Sequence, residues 1–168
     1  MEFHEAATDD IGAIRSIATA SWEADYPAVI SRETIEAGVE EWYDPDELER
    51  ELNEADTIVL LAVDDEPVGF AHAVLGDDAG HLLRLYVDPD RRREGIGARL
   101  LDEVAQRIAD RSDCEQFRAM VLSANESGKA FYRANGFDAV DEATTRIGGE
   151  SYDETTFERP LRATVDVY

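Results

Sequence analysis

Lysine and cysteine are nearly missing from this 168-residue chain: of 16 basic residues only Lys129 is a lysine, and Cys114 is the single cysteine. One cysteine excludes an internal disulfide and any cysteine-based metal cluster, and it suits a reducing compartment. The three histidines, His4, His72 and His81, stand apart without ligand spacing, so no metal is expected. Long apolar runs are missing as well. Ile58 to Val63 is typical of the longest, far below the roughly 20 residues of a membrane span. The first residues carry neither the basic nor the apolar pattern of a signal peptide. The expectation is a soluble, cytoplasmic protein with no membrane partner.

Broad positive charge is also absent. With 39 acidic residues against 16 basic, the formal net charge is -23, which leaves no basic face for nucleic acid. The acids are scattered through the chain and form no tail, so a disordered acidic extension is not expected. Such acidity suits a halophile's interior: in molar salt the Debye length falls to about 3 Å and self-repulsion is screened.

What remains is enough for one core. The chain is 43% hydrophobic, and its length fits a single domain over residues 1–168. Thr8 with Asp9 and Asp10 starts a helix whose apolar face, Ile11, Ile14, Ile17 and Ala18, carries it to near Ser21. Ser31 to Val39 and Pro45 to Leu52 read as short helices, with Trp22, Tyr26, Trp42 and Tyr43 around them. Thr57 to Val63 and Pro67 to Leu75 form a hairpin across Asp64-Asp65-Glu66. After the turn Gly76 to Gly80, a strand runs from His81 to Val87. A helix then places Ile96, Leu100, Leu101, Val104 and Ile108 on one face. Gln116 to Leu122 is a strand, and Asn125 caps a helix that Gly136 ends. Two antiparallel strands follow, joined at Ile147-Gly148-Gly149-Glu150. This order predicts an α/β (α+β) domain with a mixed sheet, parallel in the middle and antiparallel at its ends.

The junction from Leu85 to Ala98 carries the chemistry. An apolar strand passes through Arg91-Arg92-Arg93, the one run of three cations, into a helix. Gly95 and Gly97 let backbone approach an anion, and the first-turn N–H groups of the helix point at the same place. A Walker loop fails, because Ala98 follows Gly97 where lysine is needed. A dinucleotide fingerprint is severely weakened at Leu100, where a third glycine is needed. Arg92-x-x-Gly95-x-Gly97, behind Tyr86-Val87-x-Pro89, remains.

In that context the chain resembles the GCN5-related N-acetyltransferase (GNAT) family. A second motif agrees: Asn125, then Phe131-Tyr132 on a helix, then Gly136-Phe137. The resemblance implies a GNAT-like, mostly antiparallel central sheet of about seven strands, flanked by helices and splayed in the middle by bulges at Leu85 and Val121. It implies acetyl-CoA as co-substrate. Backbone groups from Arg92 or Arg93 through Gly95, Ile96, Gly97 and Ala98 would hold its pyrophosphate. Leu85, Tyr86 and Val87 would pair with the pantetheine arm as an added strand would. Asn125 would contact the pantetheine or order its loop, and Lys129 would reach a phosphate.

The implied reaction is attack of a primary amine on acetyl-CoA within a ternary complex. Tyr132 is the candidate acid for the leaving thiolate; Phe131 is a packing residue. The base is open. Many family members carry glutamate at the start of the central strand, where this chain has His81; that residue is either a base or a half-exposed strand end. Glu23 and Asp25 are candidates to bind a cationic acceptor, and His72 reads as structural. The acceptor is a small amine, a peptide or a protein N-terminus, and a homodimer through the C-terminal hairpin is a further expectation. A non-catalytic acetyl-CoA sensor is the alternative, which retention of Asn125 and Tyr132 disfavours.

Overall fold

The computed structural model describes residues 1–25, 31–147 and 149–161, leaving aside the side chains of Asp25, Arg32 and Trp42. Seven strands are built from β1 (Glu2–Glu5), β2 (Thr57–Asp64), β3 (Glu66–Leu75), β4 (Ala79–Val87), β5 (Gln116–Leu122), β6 (Asp138–Ile147) and β7 (Glu150–Pro160). The α-helices are α1 (Ile11–Asp25), α2 (Arg32–Trp42), α3 (Pro45–Leu52), α4 (Ile96–Arg111) and α5 (Glu126–Ala134).

Local chemistry sets the helix starts. The Ser31 hydroxyl accepts from the Thr34 N–H at 3.2 Å, Asp44 from Glu47 at 3.2 Å with Pro45 following, and Asn125 from Gly128 at 2.9 Å. Two helices outrun the sequence expectation. α1 continues past Ser21 to Asp25 because Trp22 keeps its face buried. α2 continues past Val39 to Trp42 because Ile35, Val39 and Tyr43, four apart, stay on one buried face.

The strand order is β1-β2-β3-β4-β5-β7-β6, and only β4 and β5 run parallel. The sheet separates two apolar cores. In β2, Ile58, Leu60 and Ala62 pack toward α4, while Val59 and Leu61 pack toward α1, α2 and α3. Burial on both faces is why β2 reads as an unbroken apolar run instead of an alternating one. On the α4 side Leu100, Leu101, Val104 and Ile108 are fully covered. On the other, the edges of Trp22, Tyr43 and Phe70 meet in T-shaped contacts at centroid distances of 6.3 and 6.2 Å.

Strand β1 carries no legible pattern, being four largely exposed residues paired to β2. The turn before β4 is tighter than expected: the Gly76 N–H donates to the Ala79 carbonyl at 2.9 Å, so the strand starts two residues before His81. Gly148 and Tyr26 lie outside the described residues.

Candidate active site

The site begins where the sheet opens. β4 and β5 pair from Ala79↔Gln116 to Leu82↔Ala119 and then part, β4 staying with β3 and β5 with β7. The device is a bulge on β4. His72 opposes Arg84 and Ala73 opposes Leu82, so Leu83 is an extra residue. The expected bulge at Leu85 therefore sits two residues earlier. The one expected at Val121 is absent: β5 and β7 keep an unbroken register from Gln116↔Pro160 to Leu122↔Glu154. The bulge also resets the alternation of β4. Directly opposed residues share a face, so Leu82 and Arg84, though two apart, lie on opposite faces. Arg84 and Tyr86 then point toward α1 to α3, and Leu85 toward α4.

Behind the bulge lies a cleft of about 680 Å³. One wall is β4 from Leu83 to Val87, whose inner edge pairs with β3 and whose other edge has lost β5. That edge is open to an extended ligand. The opposite wall is Met120, Val121 and Leu122 of β5 with Asn125 and Tyr132.

The floor is the cationic turn. Arg93 and Gly95 have positive φ, 67° and 78°, which curls successive N–H groups inward as an anion-binding concavity. Gly95 caps α4 without a side chain, and the N–H groups of Ile96, Gly97 and Ala98 have no acceptor within the helix. Arg91 is a strut: its guanidinium donates to Asp64 at 2.6 Å and to Glu94 at 2.9 Å. These bonds hold both carboxyls below the usual carboxylate range. Arg92 and Arg93 line the cleft beside it. Gly97 is where α4 meets α5, since a Cβ there would stand 3.2 Å from the Phe131 ring.

Tyr132 reaches the cleft from α5 while its ring is buried, stacked on Phe157 at 5.8 Å and edge-on to Phe137 at 5.4 Å. Asn125 caps α5 so closely that a Cβ on Gly128 would lie 2.7 Å from its Nδ2. Trp22 lines the cleft from α1, donating from Nε1 to the Tyr86 hydroxyl at 2.9 Å.

Three sequence candidates fall elsewhere. His81 is not on the cleft; it pairs with Arg118 before the strands part, with its ring over Gly76, and burial with the nearby Arg118 charge lowers its pKa. The Lys129 ammonium lies 3.0 Å from Glu126 and lines a separate depression with Arg133. Its place one turn into α5 aims it away from the cationic loop. Glu23 is exposed and off the cleft, and the Asp25 side chain lies outside the described residues. His72 is structural as expected. It is 2% exposed, its Nδ1 is 3.1 Å from Arg84, and burial with that guanidinium's charge pushes its pKa down to about 3.

Sequence reasoning missed Leu83, Arg84 and Glu154. Arg84 had a signal, a cation inside an apolar strand; it packs over Tyr43 at 4.5 Å and reaches Glu51 at 3.3 Å. Burial raises the Glu51 pKa, opposed in part by Arg84. Glu154 had none, one acid among 39. It lines the cleft from β7, and burial alone raises its pKa.

The sequence profile of the acetyltransferase (GNAT) domain matches residues 28–150. The chain is 30% identical over 146 residues to a spermidine N(1)-acetyltransferase of Thermoplasma acidophilum, covering 84% of this chain and 90% of that protein. A thialysine N-epsilon-acetyltransferase of Sus scrofa is 33% identical over 78 residues, 44% of this chain and 45% of that protein. Among solved structures, the PaiA N-acetyltransferase of Thermoplasma acidophilum in complex with coenzyme A superposes with a TM-score of 0.82 at 27% identity. The match covers 95% of this chain and 98% of that one.

Proposed function

Because the chain belongs to the GNAT acetyltransferase family and performs acetyl-CoA-dependent N-acetylation, we propose that its acceptor is a small cationic amine of the polyamine class and that the β4/β5 cleft is where transfer occurs. The observation that carries the reading is the coincidence of three features in one cleft: an anion-binding turn, an open strand edge, and a buried tyrosine on the wall facing that edge. The spermidine acetyltransferase relative supports the acceptor class.

In this reading the N–H groups of Ile96, Gly97 and Ala98, with Arg92 and Arg93, hold the pyrophosphate of acetyl-CoA. The pantetheine arm adds to the free edge of Leu85 to Val87, where a backbone N–H polarises the thioester carbonyl as it becomes negative. Asn125 holds the turn at the mouth of α5. The Tyr132 hydroxyl protonates the departing thiolate. That demand is modest, since a thiol of pKa about 8.5 is already a fair leaving group. Both substrates are bound together, and the amine attacks directly.

The composition supports a further setting for this chemistry, a salt-rich cytoplasm. A melting series from low to molar KCl tests it: the melting temperature rises with salt if the acidic surface is adapted, and a flat series removes the claim.

The acceptor is tested by thiol release from acetyl-CoA with spermidine, aminoglycosides, amino acids and short peptides, against an amine-free blank. Release with spermidine well above the other amines is expected. Release confined to peptides would overturn the polyamine reading.

A further inference from the structure

The cleft contains a carboxylate with nothing to do. Among the other charged side chains of the cleft, Arg84 is engaged with Glu51, and Arg91 with Asp64 and Glu94. Glu154, half-buried on β7, has no hydrogen bond or ion pair from its side chain to any described residue. Leaving a carboxylate partly desolvated without a partner is costly. A site that tolerates it is arranged for a cation that arrives from outside.

Its position gives the cation's place. Glu154 pairs directly with Leu122, so both project to the same face, and Leu122 packs with Trp22 and Ile147 in the core beneath α1 and α2. Tyr132 belongs to the opposite core, beneath α4. The gap left by the parting of β4 and β5 therefore has a hydroxyl on one side and a carboxylate on the other. A thioester threaded along β4 would meet the acid from the α5 side and an incoming nitrogen from the α1 and α2 side. The apolar neighbours Leu83, Met120, Leu122 and Ile147 keep water scarce around that nitrogen.

From this geometry we infer that Glu154 is the acceptor-side residue of the reaction, docking the substrate ammonium and receiving its protons. The inference rests on the acetyl transfer proposed above. The ammonium passes one proton through Glu154 to solvent, and the neutral nitrogen forms the N–C bond as the C–S bond breaks. The second nitrogen proton leaves by the same carboxylate. The thiolate takes one proton from the Tyr132 hydroxyl, which is refilled from solvent, so the products are the amide, free coenzyme A and one proton. Burial supports the assignment by raising the Glu154 pKa toward the range useful to a base.

Few other groups can imitate it. Facing the cleft with it are Arg84 and Tyr86 from β4, Tyr132 from α5 and the arginines of the turn. Its strand neighbours Leu122 on β5 and Ala143 on β6 do not titrate. Along β7, Tyr152 donates to Glu150 at 2.6 Å, and Glu158 is paired with Arg118 at 2.6 Å. The α2 carboxylates Glu33, Glu36, Glu40 and Glu41 are exposed.

The test compares wild type, Glu154→Gln and Glu154→Asp with acetyl-CoA and spermidine, measuring kcat and KM from pH 5 to 9 with coenzyme A affinity by calorimetry. The expected result is a fall of about 100-fold in kcat for Glu154→Gln, loss of the acidic limb of its pH profile, partial recovery in Glu154→Asp, and unchanged coenzyme A affinity. If Glu154→Gln keeps wild-type turnover and the same acidic limb, the inference is overturned while the polyamine reading stands. If the wild type uses another amine from the panel instead, the polyamine reading fails, and the same variants on that amine still decide Glu154. Absence of transfer to every amine by the wild type overturns both.

Discussion

Replacing Tyr132 by phenylalanine separates its chemical role from its packing. The ring is 7% exposed and held by Phe131, Phe137 and Phe157 at centroid distances of 5.3 to 5.8 Å. Phenylalanine keeps every one of those contacts. Loss of the hydroxyl should cost about 1 kcal/mol of stability, a fall of roughly 2 to 4 °C in melting temperature for a domain of this size. Alanine would cost about 3 to 5 kcal/mol through the cavity it leaves, which would confuse a folding defect with a chemical one. For turnover, a positioned acid contributes typically about 100- to 10,000-fold. The thiolate leaving group needs little help, so the lower end applies, about 100-fold in kcat. Because the hydroxyl acts on the departing sulfur and not on the bound phosphates, KM for acetyl-CoA should change little. The assay is thiol release under saturating amine, with melting followed by circular dichroism. An acetyl donor with a more acidic thiol should shrink the defect. Wild-type kcat in Tyr132→Phe, with the expected small loss of stability, would remove Tyr132 from the mechanism.

Three further outcomes follow from particular contacts. Asn125→Ala should lose about 1 kcal/mol with the helix cap, whereas Asn125→Asp keeps the acceptor for the Gly128 N–H and should melt near wild type; equal melting of the two would refute the cap. Gly97→Val should weaken coenzyme A binding, because its side chain would press on Phe131 and shift the α4 N-terminus against α5; unchanged affinity by calorimetry would contradict that packing. His72 titrates at about 3 in the fold, below its unfolded value of about 6.5. Between those values the unfolded chain binds a proton that the folded chain refuses, so this residue lowers stability as pH falls from about 6.5 toward 3, by up to about 1.4 kcal/mol per pH unit. Glu51 acts oppositely, its raised pKa letting the folded chain hold a proton that the unfolded chain has released. Denaturant melts from pH 7 to 4 should therefore show a shallower acid decline in His72→Asn than in wild type; parallel curves would refute the buried neutral histidine.

Elements with a physical signature of their own could be read from residues alone. α3 and β5 fall on Pro45–Leu52 and Gln116–Leu122 as expected, because a capping Asp44 with Pro45 marks the first and an apolar run bounded by polar residues marks the second. The cationic turn was equally legible, since Gly95 needs a positive φ and the sequence supplies glycine there. The resemblance implied that the sheet opens, but the place of the opening was not legible. A bulge at Leu83 depends on how two strands register, which no local residue pattern around it announces. For the same reason His81 read as a neighbour of the chemistry. Only the register places it on the paired stretch, against Arg118 instead of the cleft. Glu154 was hidden by composition. Its distinction is the absence of a partner in a particular cleft, which is a property of the fold.

Direct passage of the acetyl group from the cofactor to an amine leaves no acetyl on the protein. The measurement is the fate of radiolabelled acetyl-CoA mixed with one equivalent of protein, with and without spermidine, in concentrated KCl. Label is expected on spermidine when the amine is present, and none on the protein when it is absent. Label held covalently by the protein before the amine is added, or spermidine left unlabelled, would contradict it.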